Sequence, residues 1–407
     1  MSTLKATEGK SKRDEAVDGV GLLRHPQALP EDGVVSSYCR RPLIWRDVTP
    51  QEWSSYAWQW AHRLSTVKML DAAIALTPLE REAIVTMEGI FPAVVSPHYV
   101  SLIRQDLGEA CPIRRQAIPS VRELERHEGL LDDPLGEVRH SYAACATRRY
   151  PDRTLIYAAH ACAMRCRHCT RRTKVGGACA PTLEQIRATL SEIGLDARVR
   201  DVLVSGGDPL SLPNAILGEI LKTLRGVAHV DVIRLCTRMP CTLPQRFNDP
   251  ELLAILRETA PIYVSVQFNH DSEASLESAR ALTLLREAGC ILSNQSVLLR
   301  GVNDVPETFE RLYRWLLRHG CRPYYLFQCD AAQGTRHFMT PISRGLEIMD
   351  FLRGRLSGLG IPHYVIDLPD GMGKVELCPD YVVGGERGGK MKFRNWCGDV
   401  AVYDDGV

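Results

Sequence analysis

The chain has 407 residues, with Lys plus Arg at 50, Asp plus Glu at 49 and a formal net charge of +1. That balance argues against a nucleic-acid binder, which carries a basic excess. No apolar run is long enough to span a membrane, and the polar start MSTLKATEGKSKRDEAVDG lacks a secretory apolar segment, so a cytoplasmic protein is expected. The 14 cysteines should then be reduced, as buried thiols or ligands rather than disulfides. Lysine is scarce, 9 against 41 arginines, so lysine-dependent chemistry has few candidates.

Residues 1–35 are charged and without periodicity and are expected to form a flexible arm. Residues 36–150 are expected to be a helical N-terminal region. Within it Trp45, Trp53, Trp58 and Trp60 should pack helices, and LTPLEREAIVTMEG predicts a helix capped by Thr77. From 151 short apolar runs alternate with amphipathic stretches. TLIYAAHA, VRDVLVSGGD, VDVIRLCT, PIYVSVQF, CILSNQSVLL, PYYLFQCD and PHYVIDLP predict buried strands. TLEQIRATLSEIG, PNAILGEILKTLRG, PELLAILRETA, EASLESARALTLLREAG, VPETFERLYRWLLRHG and SRGLEIMDFLRGRL predict the helices between them. This order predicts an α/β fold, a partial parallel TIM-like barrel over 151–340, followed by a C-terminal segment over 341–407 with a β-rich tail.

In such a barrel the residues just after each strand share one rim, where chemistry is built. Here they include Cys162, Ser205-Gly206-Gly207-Asp208, Arg238, Asn269-His270, Gln295, Asp330 and Asp367. The sharpest signal is Cys162-Ala-Met-Arg-Cys166-Arg-His-Cys169 after the first barrel strand. Three thiolates at this spacing can hold three corners of a [4Fe–4S] cluster and leave the fourth iron open. A closed zinc site would need a fourth ligand, for which His160, His168 and Cys179 are available.

The C-x3-C-x2-C motif with SGGD behind it resembles the radical S-adenosylmethionine (SAM) superfamily. CRHCTRR, SGGDPL, NQSVLLRGVND, QCD, FMTPISRG and DLPDGMGKVELCPDYVV together resemble the lysine 2,3-aminomutase family, from about Trp45 to about Tyr403. The resemblance implies the radical SAM type of barrel, with Cys162, Cys166 and Cys169 on the cluster. It implies Ser205, Gly206, Gly207, Asp208 and Gln295 as cofactor-binding residues, with SAM as a regenerated cofactor. It also implies pyridoxal 5′-phosphate (PLP) on Lys374, in the Gly371-Met372-Gly373-Lys374 turn of the C-terminal segment, with Arg149 and Arg153 near that cofactor. Lys374 follows the last strand, as a Schiff-base lysine facing the barrel mouth would. Arg171 would grip the substrate carboxylate, and Asp330 and Asp367 a distant side-chain ammonium. Two facing carboxylates favour a cation between them and count against a glutamate substrate.

The implied reaction moves an α-amino group from C2 to C3, an isomerisation of L-lysine to L-β-lysine. L-Arginine to β-arginine is the first alternative and a PLP-independent radical SAM enzyme the second. A small basic amino acid, an external one-electron reductant of flavodoxin or ferredoxin type and a homo-oligomer are the implied partners. Three positions depart from the usual pattern: Asp370 adds a carboxylate beside the turn, Met372 is expected to alter the pocket, and Phe327 stands where tyrosine is usual. A cysteine-rich zinc segment at the C-terminus, found in some of these enzymes, is not expected.

Overall fold

The computed structural model describes residues 35–176, 180–385 and 389–404. The expected arm at 1–35 lies, but for its last residue, outside the described residues. From Ser37 to Leu124 the chain forms short helices whose starts are written in the sequence. Thr49 and Thr77 each cap a helix and form a reciprocal capping box with Glu52 and Glu80. The tryptophans pack as expected: Trp53 is buried, and its ring lies 5.8 Å from Trp45 and 5.6 Å from Trp58.

The helical region ends earlier than expected. Ser141–Ala143 (β1) and Ala146–Tyr150 (β2) are strands. β2 buries Ala146 and Thr147 and pairs antiparallel with the next strand. This tertiary pairing overrides a five-residue stretch with no periodicity of its own.

The strands that follow are β3 (Arg153–Ala159), β4 (Asp201–Gly206), β5 (Val232–Thr237), β6 (Tyr263–Val266), β7 (Ile291–Leu298), β8 (Arg322–Gln328) and β9 (His363–Leu368). They stand side by side in chain order and all run parallel. Six helices cross between them, Leu183–Leu195, Asn214–Arg225, Pro250–Glu258, Leu276–Glu287, Pro306–Arg318 and Ile342–Leu352. Strand and helix thus alternate where the sequence predicts. Ile156, Val202, Val204, Ile233, Leu235 and Val264 are fully buried, as in a parallel sheet covered on both faces. The helix Asn214–Arg225 buries Leu217, Ile220, Leu221 and Leu224, one face at helical spacing.

The boundary drawn at 340 falls inside this sheet. β9 belongs to it, and β10 (Gly373–Glu376) folds back antiparallel on β9 as the tenth strand. Side chains then tie this last hairpin to β2, near the other edge of the sheet. The Tyr150 hydroxyl accepts the Lys374 backbone N–H at 2.8 Å, and Arg149 donates to Asp367 at 3.0 Å.

The tail is a separate compact unit. Its strands Val382–Gly385, Lys390–Arg394 and Val400–Asp404 form a three-stranded antiparallel sheet, matching the β-rich tail expected. Among the described residues no helix is long and apolar enough to cross a membrane.

Candidate active site

The C-terminal ends of the barrel strands line a cavity of about 310 Å³. The three cysteines, Lys374, Arg149, Arg171, Asp330, Asp367, Gln295 and Ser205 to Asp208 all face it. Arg153 does not. It opens β3, at the end of the strand away from the rim, pairs with Asp152 at 2.9 Å and lies over the Tyr150 ring. Its expected place beside a cofactor is therefore corrected: the start of β3 lies at the opposite end of the strand from the rim.

The cysteine loop, residues 160–176, is held from outside by its own arginines. Arg167 is fully buried; it donates to Glu123 at 2.6 Å and to the Phe91 carbonyl at 3.0 Å, and Arg172 pairs with the same Glu123. Burial alone would raise the Glu123 pKa, but the two guanidiniums outweigh it and hold it below the usual range. Burial pushes the Cys162 thiol well up, with Asp208 and the neighbouring sulfurs adding to the effect, and pushes Cys169 up to about 11. Three neighbouring cysteine sulfurs would repel one another as thiolates and fit a cationic cluster core between them.

No group of three His, Cys, Asp or Glu among the described residues is placed to hold a single metal ion. One ion draws its ligands around one point, whereas a cube of four irons spreads its thiolates apart. Of the fourth zinc ligands considered, Cys179 lies outside the described residues. His168 sits 3.3 Å from the Gln267 amide, and burial, then Arg238, pushes its pKa well down.

The end of β4 packs directly on this loop. Gly206 has φ +118°, and a Cβ there would lie 2.3 Å from the Ala159 carbonyl oxygen. A Cβ on Gly207 would lie 2.6 Å from the Ala161 oxygen and 3.1 Å from the Cys162 sulfur. Glycine is thus required by the close approach of two backbones. The Asp208 carboxylate is occupied within the fold: it accepts from the Thr237 hydroxyl and the Arg238 N–H, both at 2.8 Å, and from the Leu210 N–H at 3.1 Å. Burial raises its pKa against the pull of these bonds. It braces the ends of β4 and β5.

Around Lys374 the charges converge differently. Its Nζ donates to Asp367 Oδ1 at 3.2 Å, and Arg149 Nη1 reaches the same oxygen at 3.0 Å. Lys374 also stands 5.5 Å from the centre of the Phe327 ring, which lines the cavity. Asp330, two residues beyond β8, has no hydrogen bond to its carboxylate among the described residues. Loss of water raises its pKa to about 7; Asp367 adds to this, and Lys374, Arg149 and Arg171 partly offset it. The turn before Lys374 needs its glycines: Asp370 and Gly371 have φ of +57° and +74°, and a Cβ on Gly371 would lie 2.6 Å from the His140 ring. Asp370 and Met372 are exposed and do not line the cavity, so the expected third carboxylate and altered pocket shape are corrected.

Arg171 is set by a residue the sequence did not flag. Glu137, 5% exposed, accepts from Arg171 at 2.8 Å and from Lys174 at 3.0 Å. Burial opposes the Glu137 charge, but Arg171 and Lys174 outweigh it and bring its pKa to about 2. The second guanidinium nitrogen of Arg171 lies 3.3 Å from the Ser205 hydroxyl. Arg238 was placed on the rim, but its contact with Cys166 at 2.8 Å was not foreseen.

A family model described as the radical SAM superfamily matches residues 156–316, and one described as lysine-2,3-aminomutase matches residues 349–406. A putative L-lysine 2,3-aminomutase of Aquifex aeolicus is 42% identical over 89% of this chain and 97% of its own length. The L-lysine 2,3-aminomutase of Clostridium subterminale is 39% identical over 90% of this chain and 88% of its own. The chain belongs to the lysine 2,3-aminomutase family of radical SAM enzymes. The family is not uniform in name: a glutamate 2,3-aminomutase of Clostridioides difficile is 38% identical over 100% of this chain and 95% of its own length.

An aminomutase of this family is an isomerase, and membership implies a [4Fe–4S] cluster, SAM and PLP as cofactors, a small amino acid as substrate and an external reductant. The residues present fit all three cofactors. Three converging, half-buried thiols suit the cluster, Gly206 and Gly207 line the cavity beside them, and Lys374 faces the cavity with a partner for its charged form.

Proposed function

We propose that this aminomutase acts on a basic L-amino acid, converting L-lysine to L-β-lysine. Charge balance in the cavity supports the reading. Asp330 and Asp367 bring two carboxylates to the cavity; Arg149 and Lys374 both bond Asp367, and the Asp330 carboxylate has no hydrogen bond among the described residues. Were PLP held on Lys374, that nitrogen would be committed to the cofactor, and Asp330 would still lack a bonded cation. A substrate with a cationic side chain would supply one, whereas glutamate would set a third carboxylate against two.

In this reading Cys162, Cys166 and Cys169 hold the cluster, Ser205 to Gly207 and Gln295 face SAM, and Lys374 carries PLP. Arg149 remains the one cation of the expected pair on the cofactor side. When bound, the cluster and SAM supply a carbon radical able to take hydrogen from C3, and PLP supplies a ring over which an unpaired electron spreads.

The protein's part is binding and orientation. Arg171 presents a planar fork to the α-carboxylate, and Glu137 holds that fork in one rotamer. Asp330 and Asp367 fix the far end of the substrate, so that C2 and C3 are placed by contacts at both ends. Asp367 also holds Lys374 Nζ in place, at 3.2 Å. A flavodoxin- or ferredoxin-type donor is proposed as the reductant.

Anaerobic, reduced and reconstituted protein is to be incubated in turn with L-lysine, L-arginine and L-glutamate. β-Lysine is the expected product. β-Arginine alone would keep the basic-substrate reading and change the amino acid, and failure of both basic substrates would overturn it.

A further inference from the structure

Arg238 is used by neither the substrate contacts nor the lysine hairpin, yet it is among the most tightly held side chains in the site. It follows β5 directly, and its backbone N–H is fixed by Asp208. Its guanidinium is 7% exposed and donates through Nη1 to the Cys166 sulfur at 2.8 Å. Nη2 donates to Glu273 at 2.6 Å and to Gln116 at 2.7 Å, and approaches the Tyr99 hydroxyl at 3.4 Å. Glu273, Gln116 and Tyr99 are each fully buried. Glu273 is fixed in turn by the N–H groups of Asn269 at 2.6 Å and His270 at 3.1 Å. A cation is thus aimed at one thiolate of the trio by a rigid, dry set of partners.

We propose that Arg238 is a positioning residue that sets the reduction potential of the iron–sulfur cluster through Cys166, with Glu273 tempering its charge from behind. The inference rests on the assignment of the three cysteines to that cluster. A hydrogen bond and a positive charge at a ligand sulfur withdraw electron density and stabilise the reduced cluster. The effect is strong because the surroundings are of low dielectric. Glu273 carries the opposite charge, so the two residues act on the potential with opposite signs.

The test is an EPR-monitored redox titration of reconstituted protein without SAM. Arg238→Gln is expected to lower the midpoint, changing the reduced-to-oxidised ratio at fixed potential at least tenfold, about 59 mV for one electron. Arg238→Lys, which keeps the charge but loses the fork, should fall between Gln and wild type. Glu273→Gln is expected to raise the midpoint. If Arg238→Gln and Glu273→Gln both hold the cluster with the wild-type midpoint and EPR line shape, the inference is overturned and the cluster assignment stands.

Should these variants lose their iron, wild-type protein carrying arginine labelled with ¹⁵N only in the guanidinium reads the contact without any substitution. Pulsed EPR of its reduced cluster should show a ¹⁵N coupling, and a spectrum with none refutes the contact. Wild-type protein that assembles no cluster would overturn both this inference and the reading beneath it.

Discussion

Around the cysteine loop three buried arginines meet carboxylates: Arg167 and Arg172 share Glu123, and Arg238 meets Glu273. Around the lysine hairpin the same kinds of groups are left unbalanced: Asp367 takes both Arg149 and Lys374, while Asp330 keeps a pKa near 7 and no hydrogen bond to its carboxylate among the described residues. The first region is built to stay as it is while a cluster sits in it. The second is built to exchange one cation for another. A single barrel rim thus carries a rigid half and a half with room for a charged ligand.

The largest effects should separate the two halves. Cys166→Ala is expected to lose the iron–sulfur absorbance and all activity while keeping the PLP band near Lys374. Lys374→Ala is expected to lose that band and all activity while keeping iron. Absorbance spectra and iron analysis of the two variants check this, and a variant that loses both cofactors would break the division.

Asp330→Asn tests the exchanging half. Removing a charged hydrogen-bond partner of the substrate should raise KM for lysine by roughly 10- to 100-fold. In the wild type the Asp330 charge forms only as pH rises through about 7, so KM for lysine should fall from pH 6 to pH 8, a range in which the substrate ammonium stays charged. Asp330→Asn should flatten that profile. The same raised pKa means that the folded protein binds this proton more tightly than the unfolded chain. Its contribution to stability is therefore lost as pH rises from about 4 to about 7, and the variant's denaturation midpoint should lose that slope.

A smaller effect is expected from Glu137→Gln. Arg171 would keep its charge and lose its fixed orientation, so KM should rise about tenfold, with kcat changing less. Steady-state kinetics separate the two constants, and restoration by Glu137→Asp would show that the carboxylate is what matters. The smallest effect belongs to Arg153→Gln. An exposed ion pair with Asp152 is worth at most about 1 kcal/mol, so PLP retention and activity should stay within about twofold of wild type.

Much of this was legible in the sequence, for physical reasons that can be named. The strand and helix spans follow from apolar periodicity, and Thr77 with Glu80 marks a helix start because both ends of a capping box are local. Cys162, Cys166 and Cys169 can be read because their spacing is itself the chemistry. Lys374 stands out because its glycine turn resembles the family's and because so few lysines compete with it, and the structure places it on the cavity.

Other residues depend on where distant segments come to rest. β2 is a strand because β3 offers it an edge, not because of its own pattern. Glu137 lies 34 positions before Arg171 and carries no motif. Arg238 reaches back 72 positions to Cys166. Arg153 was misplaced for the converse reason: its neighbourhood in sequence suggested a site that the direction of β3 puts out of reach. Asp370 and Met372 belong to the turn, yet their backbone angles and exposure turn them away from the cavity.

The central claim is that Asp330 and Asp367 select a cation. The ratio of kcat/KM for L-lysine to that for L-glutamate, measured side by side in one reconstituted preparation, tests it most directly. A like charge forced against two carboxylates in the cavity costs several kcal/mol, so lysine is expected to be favoured by at least about a hundredfold. A ratio near one, or in favour of glutamate, would contradict it.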